Sequence, residues 1–218
     1  MKNMQICASI KSADAGEVVS LCRKYPFVEV RLDNTAFSDA ELKEIFSVQN
    51  CRKIVCCRPC EISSGEKVKL LSNALACGAD IVDVEYDFEL ADLLAYGVVS
   101  KGKKLIVSGH FYDELPDDDL LHSLVEKASS IGADFLKIAA SCANPVALLR
   151  FWETYIRGVG NFPIEKTLFV PMGKGTELAR LAALNMGSPF MYVSCDGRQS
   201  TVDGQIPYSL VEHFLENI

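Results

Sequence analysis

The chain has 218 residues, of which 49% are hydrophobic and 23% are charged, which is typical of a folded globular domain. Lysine and arginine number 22 against 29 for aspartate and glutamate, and the net charge of −7 argues against nucleic acids and anionic membrane surfaces as partners. No apolar run approaches the roughly 20 residues that cross a bilayer, and the N-terminal segment lacks the apolar stretch of a signal peptide. Nine cysteines, an odd number, predict reduced thiols and a cytoplasmic location.

Eight short segments are predicted to be β-strands, because Val, Ile, Phe, Tyr and Cys are frequent in them and turn residues bound most of them. In chain order these segments are 5–10, 28–33, 54–60, 81–87, 105–110, 135–140, 168–173 and 190–195. Helical patterns lie between the strands, and the last helical pattern follows the eighth strand.

The predicted helices are marked by capping residues and by apolar residues spaced three and four apart. Ser38 and Glu41 form a capping box, and Asn144 with Pro145 suits the cap and first position of another helix. The apolar stripes are Val18, Leu21, Cys22 and Tyr25; Leu120, Leu121, Leu124, Val125 and Ala128; Leu148, Leu149 and Trp152; Leu178, Leu181 and Ala182; and Leu210, Val211, Phe214 and Leu215. We expect each stripe to be the buried face of its helix.

Eight strand–helix units in succession predict parallel strands joined by helical crossovers. Open doubly wound sheets usually have fewer strands, so eight units indicate a closed (β/α)₈ barrel. Each unit has about 27 residues, enough for a strand, a helix and two short loops. No linker or low-complexity stretch interrupts this pattern, so we expect a single barrel domain over residues 1–218.

Several predicted strands carry charged or polar residues on one face and only apolar residues on the other. The polar residues are Glu29, Arg31, Arg58, Glu85, His110 and Lys137. The apolar face packs on the helices, so the polar residues are expected inside the barrel, mostly toward the C-terminal rim where active sites of this fold lie. A purely structural network of paired charges is the alternative.

Lys137 and His110 together indicate a particular chemistry. A buried lysine beside other cations is expected to lose its proton easily, and a neutral amine attacks ketones to form a Schiff base. His110 is the candidate base that removes the neighbouring acidified proton, whereas His122 and His213 lie on helical segments and are expected at the surface. These residues predict a Schiff-base lyase or aldolase that acts on a small ketone.

At these positions the sequence resembles the type I 3-dehydroquinate dehydratase family, the Schiff-base enzymes of the shikimate pathway. The resembling segments are VEVRLD, DVEYD, VSGH, GADFLKIA, MGKGTELAR, and the GS and GQ pairs at 187–188 and 204–205. They occur in the family's order along nearly the whole chain. The resemblance implies the barrel fold and dehydration of 3-dehydroquinate by syn elimination through an imine on Lys137.

The resemblance also implies the roles of the site residues. Lys137 is the Schiff-base residue and His110 is the proton-transfer residue, while Arg180 is expected to pair with the substrate carboxylate. Further substrate-binding residues are implied at Glu29, Arg31, Arg58, Thr201 and Gln205. It implies no metal and no organic cofactor, because the lysine serves as the electron sink, and it implies a homodimer.

Three segments depart from the family pattern. RPCEISSGE has Glu61 one place early and lacks the usual Gly-Gly, TVDGQ introduces Asp203, and FYDELP follows the histidine. A barrel that binds a ligand without turnover is therefore a further hypothesis. Gly173 to Thr176, which follow the seventh strand, favour a phosphosugar aldolase as the alternative enzyme.

Cys57 and Cys60 form a C-x-x-C pair at the end of the third predicted strand. Such a pair serves redox chemistry or metal binding in other proteins. Redox pairs of the thioredoxin type open a helix, whereas this pair ends a strand, and no second pair accompanies it. We therefore interpret these cysteines as small packing residues.

Overall fold

The computed structural model describes residues 5–142, 144–157 and 162–217. The strands are β1 (Gln5–Ile10), β2 (Phe27–Arg31), β3 (Arg52–Cys56), β4 (Ile81–Glu85), β5 (Lys104–Phe111), β6 (Phe135–Ser141), β7 (Thr167–Met172) and β8 (Phe190–Ser194). The α-helices are α1 (Ala15–Lys24), α2 (Asp39–Phe46), α3 (Ser64–Cys77), α4 (Ala91–Val99), α5 (Asp118–Ser130), α6 (Pro145–Arg157), α7 (Glu177–Met186) and α8 (Tyr208–Glu216). A short 3₁₀ helix, Ile164–Lys166, precedes β7.

The eight strands form one parallel sheet in the order β7-β6-β5-β4-β3-β2-β1-β8, which curls into a nearly closed barrel. At the N-terminal end of the seam, Ser188 Oγ donates a hydrogen bond to the carbonyl of Thr167 at 2.9 Å. At the C-terminal end, the amide of Gly173 donates to the carbonyl of Asp203 at 3.1 Å. The prediction of a single (β/α)₈ barrel domain is confirmed.

Three strands end two or more residues before the predicted ends at 33, 60 and 87. β2 ends at Arg31, β3 ends at Cys56 and β4 ends at Glu85. Arg58 therefore lies in the loop after β3 and not within the strand, since Pro59 lacks the amide hydrogen that a ladder requires. The loop still holds the Arg58 side chain buried at the rim of the barrel.

Two apolar layers surround the strands. The outer layer packs the helices onto the barrel, with residues such as Val28, Val55 and Val82 fully buried. The inner layer fills the barrel axis, and its members include Cys7, Phe27, Ile54, Ile81, Ile106, Leu168 and Phe190. Because this inner layer closes the N-terminal half of the barrel, polar chemistry is confined to the C-terminal half.

The helix starts follow the predicted capping. Ser38 and Glu41 form the capping box of α2, and Asn144 Oδ1 accepts from the amide of Ala147 at the start of α6. The predicted buried stripe of α7 is wrong, because Leu178 is 78% exposed and Ala182 is exposed. The buried face of α7 instead carries Ala179, Arg180, Ala183 and Leu184.

The stripes of α6 and α8 are also only partly buried. Leu149 on α6 and both Leu210 and Phe214 on α8 are exposed. Apolar periodicity on these helices therefore overestimates burial. Among the described residues, no helix is long and apolar enough to cross a membrane.

Candidate active site

The structure brings all eight predicted site residues to the wall of one cavity, at the carboxyl ends of the strands. These residues are Glu29, Arg31, Arg58, His110, Lys137, Arg180, Thr201 and Gln205. The cavity is narrow, with a volume of about 40 Å³. The same wall includes Tyr112, Ala139, Val170, Met172, Tyr192 and Val202.

Lys137 is 5% exposed and lies between two carboxylates. Its Nζ is 3.0 Å from Asp83 Oδ2 and 3.4 Å from Glu29 Oε1, and it lies 4.3 Å from the centre of the Tyr192 ring. Lys137 lies beside a cation, as expected, because Arg58 binds the same Asp83 oxygen, but the sequence did not indicate that its direct contacts are carboxylates. The inward-facing carboxylates of Asp83 on β4 and Glu29 on β2 reach the amine across the barrel interior.

Asp83 on β4 connects the cationic residues of the site. Its carboxylate accepts from Arg58 at 3.1 and 2.5 Å, from Ser108 Oγ at 2.6 Å and from Lys137. Burial alone raises the pKa of Asp83, but the positive charges of Arg58 and Lys137 hold it well below its usual value. Asp83 is thus a buried anion that fixes the positions of both cations.

His110 lies two residues beyond Ser108 on β5, and therefore on the same face of the strand, and its side chain lines the cavity. Burial lowers the pKa of His110 well below its usual value, and the positive charges of Arg58 and Lys137 lower it further. Its Nδ1 is buried and has no hydrogen-bond partner among the described residues. His110 is therefore a neutral imidazole with an unused nitrogen, which suits a general base at neutral pH.

Arg180 enters the cavity from the first turn of α7. It is 2% exposed, its Nε has no partner among the described residues, and its Nη2 reaches only the carbonyl of Asp203 at 3.5 Å. Burial lowers the pKa of Arg180 to about 10. A buried guanidinium with free donors is a site for an anion, and its planar fork matches a carboxylate.

The loop after β8 is connected to Lys137 by a chain of hydrogen bonds. Thr201 Oγ1 contacts both Gln205 Oε1 at 3.1 Å and Ser9 Oγ at 3.0 Å. Ser9 Oγ donates to Glu29 Oε2 at 2.6 Å, and Glu29 in turn contacts Lys137. Movement of this loop would therefore remove a hydrogen bond from the chain that positions the Glu29 carboxylate beside Lys137.

Salt bridges neutralise much of the positive charge that Arg31, Arg58 and Lys137 bring to the C-terminal rim. Arg31 makes a two-pronged pair with Asp33 at 2.9 and 3.0 Å, and Arg58 pairs with Asp83. Within the described part of the chain, Arg180 is the cavity cation without a carboxylate partner. The net attraction for an anion is thus concentrated at Arg180.

Some residues of the site were not among the predicted ones. Tyr192 is 4% exposed, and its hydroxyl has no partner among the described residues. Burial raises the pKa of Tyr192 well above its usual value, and the carboxylates of Glu29 and Asp83 add to this. Strand alternation places Tyr192 on the inner face with Phe190, so the sequence contained a signal for it.

The remaining sequence candidates lie elsewhere. His122 and His213 are exposed on α5 and α8, as expected. Gly173 to Thr176 form the turn into α7, where Thr176 Oγ1 donates to the carbonyl of Gly173 at 2.7 Å. Over the described ranges, no group of three or more His, Cys, Asp or Glu side chains is arranged to hold a metal ion.

The chain forms a parallel eight-stranded barrel, and Lys137, His110 and Arg180 line one cavity at its C-terminal rim. Enzymes of the (β/α)₈ class have their active sites at this rim. The sequence model of the Type I 3-dehydroquinase family matches residues 6–218. The chain therefore belongs to the type I 3-dehydroquinase family, whose members are lyases.

Individual relatives agree with this membership. A 3-dehydroquinate dehydratase from Methanococcus maripaludis strain C5 is 28% identical, covering 98% of this chain and 99% of the relative. One from Dehalococcoides mccartyi is 27% identical, covering 94% and 92%. The crystal structure of 3-dehydroquinate dehydratase from Geobacillus kaustophilus has the same fold, with a TM-score of 0.80 at 22% identity over 99% of this chain and 91% of that one.

Proposed function

We propose that this enzyme dehydrates 3-dehydroquinate to 3-dehydroshikimate through an imine on Lys137, as a step of the shikimate pathway. The observation that carries the proposal is the set of unpartnered polar atoms in one cavity. Among the described residues, His110 Nδ1, Arg180 Nε and the Tyr192 hydroxyl are buried without hydrogen-bond partners beside Lys137. Buried polar groups without partners are costly, so these atoms are expected to bind a polar ligand.

The first step is attack of Lys137 on the C3 ketone of the substrate. Attack requires the neutral amine, so an additional proton on Nζ first passes to a base, for which Glu29 and His110 are available. Its nitrogen then bonds to C3, and a nitrogen proton passes to the ketone oxygen to give the carbinolamine. The protonated base returns its proton to this hydroxyl, which leaves as water and gives the iminium. Asp83 and Glu29 stabilise the positive charge of the iminium at the position where they now contact Nζ.

The second step is the elimination itself. Neutral His110 takes the proton from C2, and the electron pair is delocalised into the iminium as an enamine. The enamine then expels the C1 hydroxyl, which leaves as water with the proton that His110 carries. Because one histidine acts in both transfers, proton and hydroxyl leave from the same face, which is syn elimination. Hydrolysis of the imine releases the product and restores Lys137.

Arg180 is proposed to bind the substrate carboxylate, and Glu29, Arg31 and Arg58 to position the ring hydroxyls and His110. Thr201 and Gln205 are proposed to close over the ring from the loop after β8. A volume of about 40 Å³ is far below the roughly 300–1,000 Å³ of ligand pockets. The loop that carries Thr201 therefore has to move before substrate enters. We also propose that the enzyme is a cytoplasmic homodimer.

The test is a spectroscopic assay of purified enzyme with 3-dehydroquinate, in which the conjugated product increases the enone absorbance. We expect turnover of this substrate, which carries no phosphate group. Lys137→Ala should lose turnover while its circular dichroism spectrum stays that of the wild type. Cleavage of phosphosugars without dehydration would favour the aldolase alternative. Tight binding of a quinate-like ligand without any rise in absorbance would favour the non-catalytic barrel.

A further inference from the structure

Two thiols lie in contact immediately beside the candidate site. Cys57 and Cys60 are in the loop between β3 and α3, and their Sγ atoms are 3.7 Å apart. Both are free cysteines. The proposed reaction uses neither of them, although Arg58 lies between them in sequence.

The two thiols differ in accessibility. Cys57 is 1% exposed, whereas Cys60 is half-buried and lines an open surface groove of about 380 Å³ with Pro59, Ile62, Ser64 and Lys67. Burial raises the pKa of Cys57 to about 12, and the neighbouring Cys60 adds to this. A reagent in the groove thus meets Cys60 first, with Cys57 in contact behind it.

The segment between the thiols holds a residue of the site. Arg58 donates hydrogen bonds to Asp83 and to Ser108, and Asp83 holds Lys137. A disulfide between residues 57 and 60 closes a small ring that includes the backbone of Arg58 and Pro59. The sulfurs have to approach from 3.7 Å to about 2 Å, and we expect closure of so small a ring to shift the backbone of Arg58 and Pro59.

We propose that Cys57 and Cys60 are a redox-active dithiol, oxidised by low-molecular-weight disulfides, whose oxidation displaces Arg58 and lowers the activity of the enzyme. The formation of the disulfide is independent of the proposed function, whereas the loss of activity rests on it. Reversible pairs of this kind are the form in which disulfides are usually found in reducing compartments.

The chemistry balances as two thiol–disulfide exchanges. The thiolate of Cys60 attacks one sulfur of the small disulfide, forms a mixed disulfide and releases the first small thiol. Cys57 then loses its proton to solvent, and its thiolate attacks Cys60 Sγ and releases the second small thiol. The two protein thiols are oxidised to one disulfide, and the small disulfide is reduced to two thiols.

The first test is equilibration of the folded enzyme with mixtures of oxidised and reduced glutathione, followed by alkylation and peptide mass mapping. We expect the peptide that contains residues 57–60 to lose two hydrogen atoms in mass and to escape alkylation. Cys60→Ser should abolish this change, whereas Cys77→Ser, which removes another half-buried thiol on α3, should not. A stable glutathione adduct on Cys60, or full alkylation of both thiols, would overturn the proposal.

The second test follows dehydratase activity in the same mixtures. We expect kcat/KM to fall by about tenfold as the disulfide forms, because misplacement of a positioning residue weakens catalysis, and to recover with dithiothreitol. Cys60→Ser should be as active as the reduced enzyme and insensitive to the mixtures. A disulfide that forms without any change in kcat/KM would refute the link to Arg58. If the reduced enzyme has no activity on 3-dehydroquinate, the proposed function fails while the mass result still decides whether the dithiol exists.

Discussion

His110 owes its proposed role to its surroundings more than to its position in the sequence. It is half-buried beside Arg58 and Lys137, and desolvation together with these positive charges keeps the pKa of the imidazole low. The same positive charges hold Asp83 ionised, so a neutral base and a buried anion are adjacent in one cavity. Both groups are thus unprotonated at neutral pH, and the imidazole is available to accept a proton from a substrate.

Replacement of His110 tests its function as the base. We expect His110→Ala to lower kcat by about 10²–10⁴-fold, the usual contribution of a positioned acid–base group. The matched control is His122→Ala, because His122 is exposed on α5 and pairs only with Glu126 at 3.1 Å among the described residues. Retention of normal turnover in His110→Ala would mean that another group carries the proton.

The two buried tyrosines without hydroxyl partners among the described residues, Tyr155 and Tyr192, offer a second comparison. Tyr192 lines the cavity, whereas Tyr155 lies on α6 against Phe169. Replacement by Phe removes an unsatisfied hydroxyl in both, so we expect each variant to be as stable as the wild type or more stable. Only Tyr192→Phe should lower kcat/KM, by about tenfold, the value of one hydrogen bond. Equal kinetics in the two variants would exclude a role for the Tyr192 hydroxyl.

At the scale of elements, the loop between β8 and α8 is fixed to the turn between β7 and α7. Gly204 has a φ of +86°, and a Cβ there would be 2.2 Å from Thr176 Oγ1 and 2.6 Å from the carbonyl of Gly173. Gly197, in the same loop, has a φ of +71° and nothing within 4 Å of the Cβ position. Alanine would cause backbone strain at either glycine, because both have a positive φ. Only at Gly204 would the added Cβ also collide with Thr176 and Gly173.

Alanine at these glycines tests whether the loop closes the site. We expect Gly204→Ala to raise KM for 3-dehydroquinate at least several-fold, because the displaced loop carries Thr201 and Gln205 away from the cavity. Gly197→Ala should cost only the roughly 1 kcal/mol of a positive φ and leave KM unchanged. Steady-state kinetics and urea unfolding of both variants provide the measurement. A parallel change in KM in both would show that strain, and not the contact with Thr176, explains the effect.

The faces of β2 and β6 could be predicted from the sequence, whereas the buried face of α7 could not. Alternation in β2 and β6 placed Glu29 and Lys137 inside the barrel, because a strand has only two faces. The same reasoning failed for α7, where the conspicuous Leu178 faces solvent and the charged Arg180 is buried. Hydrophobicity assigns a buried arginine to the surface, so its position was indicated only by the family resemblance.

Contacts between distant segments were the least predictable. The hydrogen bond between Ser9 and Thr201 joins residues 192 positions apart in sequence, and no periodicity encodes such a pairing. The same holds for the carboxylates around Lys137, since Asp83 and Glu29 come from other strands. The sequence therefore predicted eight of the residues that line the cavity, but not which of them pair.

At the scale of the whole molecule, the buried histidine couples folding to pH. In the unfolded chain His110 has an ordinary pKa of about 6.5, whereas in the folded protein its pKa is well below that. Below pH 6.5 the unfolded state binds a proton that the folded state does not bind. The free energy of unfolding should therefore decrease as the pH falls below about 6.5. His110 contributes up to about 1.4 kcal/mol per pH unit to this decrease.

Urea unfolding between pH 7.5 and 5.5 measures this coupling. We expect His110→Gln to lose less stability than the wild type across this window, and His122→Gln to follow the wild type because His122 is exposed. Coincident pH profiles for wild type and His110→Gln would contradict a depressed pKa for His110.

The net charge of −7 belongs to the solvated surface and does not describe the site. Inside the barrel the charges of Arg31, Arg58 and Lys137 are matched by carboxylates, and Arg180 remains available for an anion. An acidic protein can thus bind an anionic substrate through one desolvated guanidinium, because low local polarity strengthens a buried pair.

Reduction with sodium borohydride in the presence of 3-dehydroquinate tests whether the imine forms on Lys137. Peptide mass mapping of the treated enzyme should locate the reduced ligand on Lys137, and Lys137→Ala should remain unlabelled. We expect inactivation that requires both borohydride and 3-dehydroquinate. A folded enzyme that dehydrates the substrate but carries no adduct at Lys137 would contradict it.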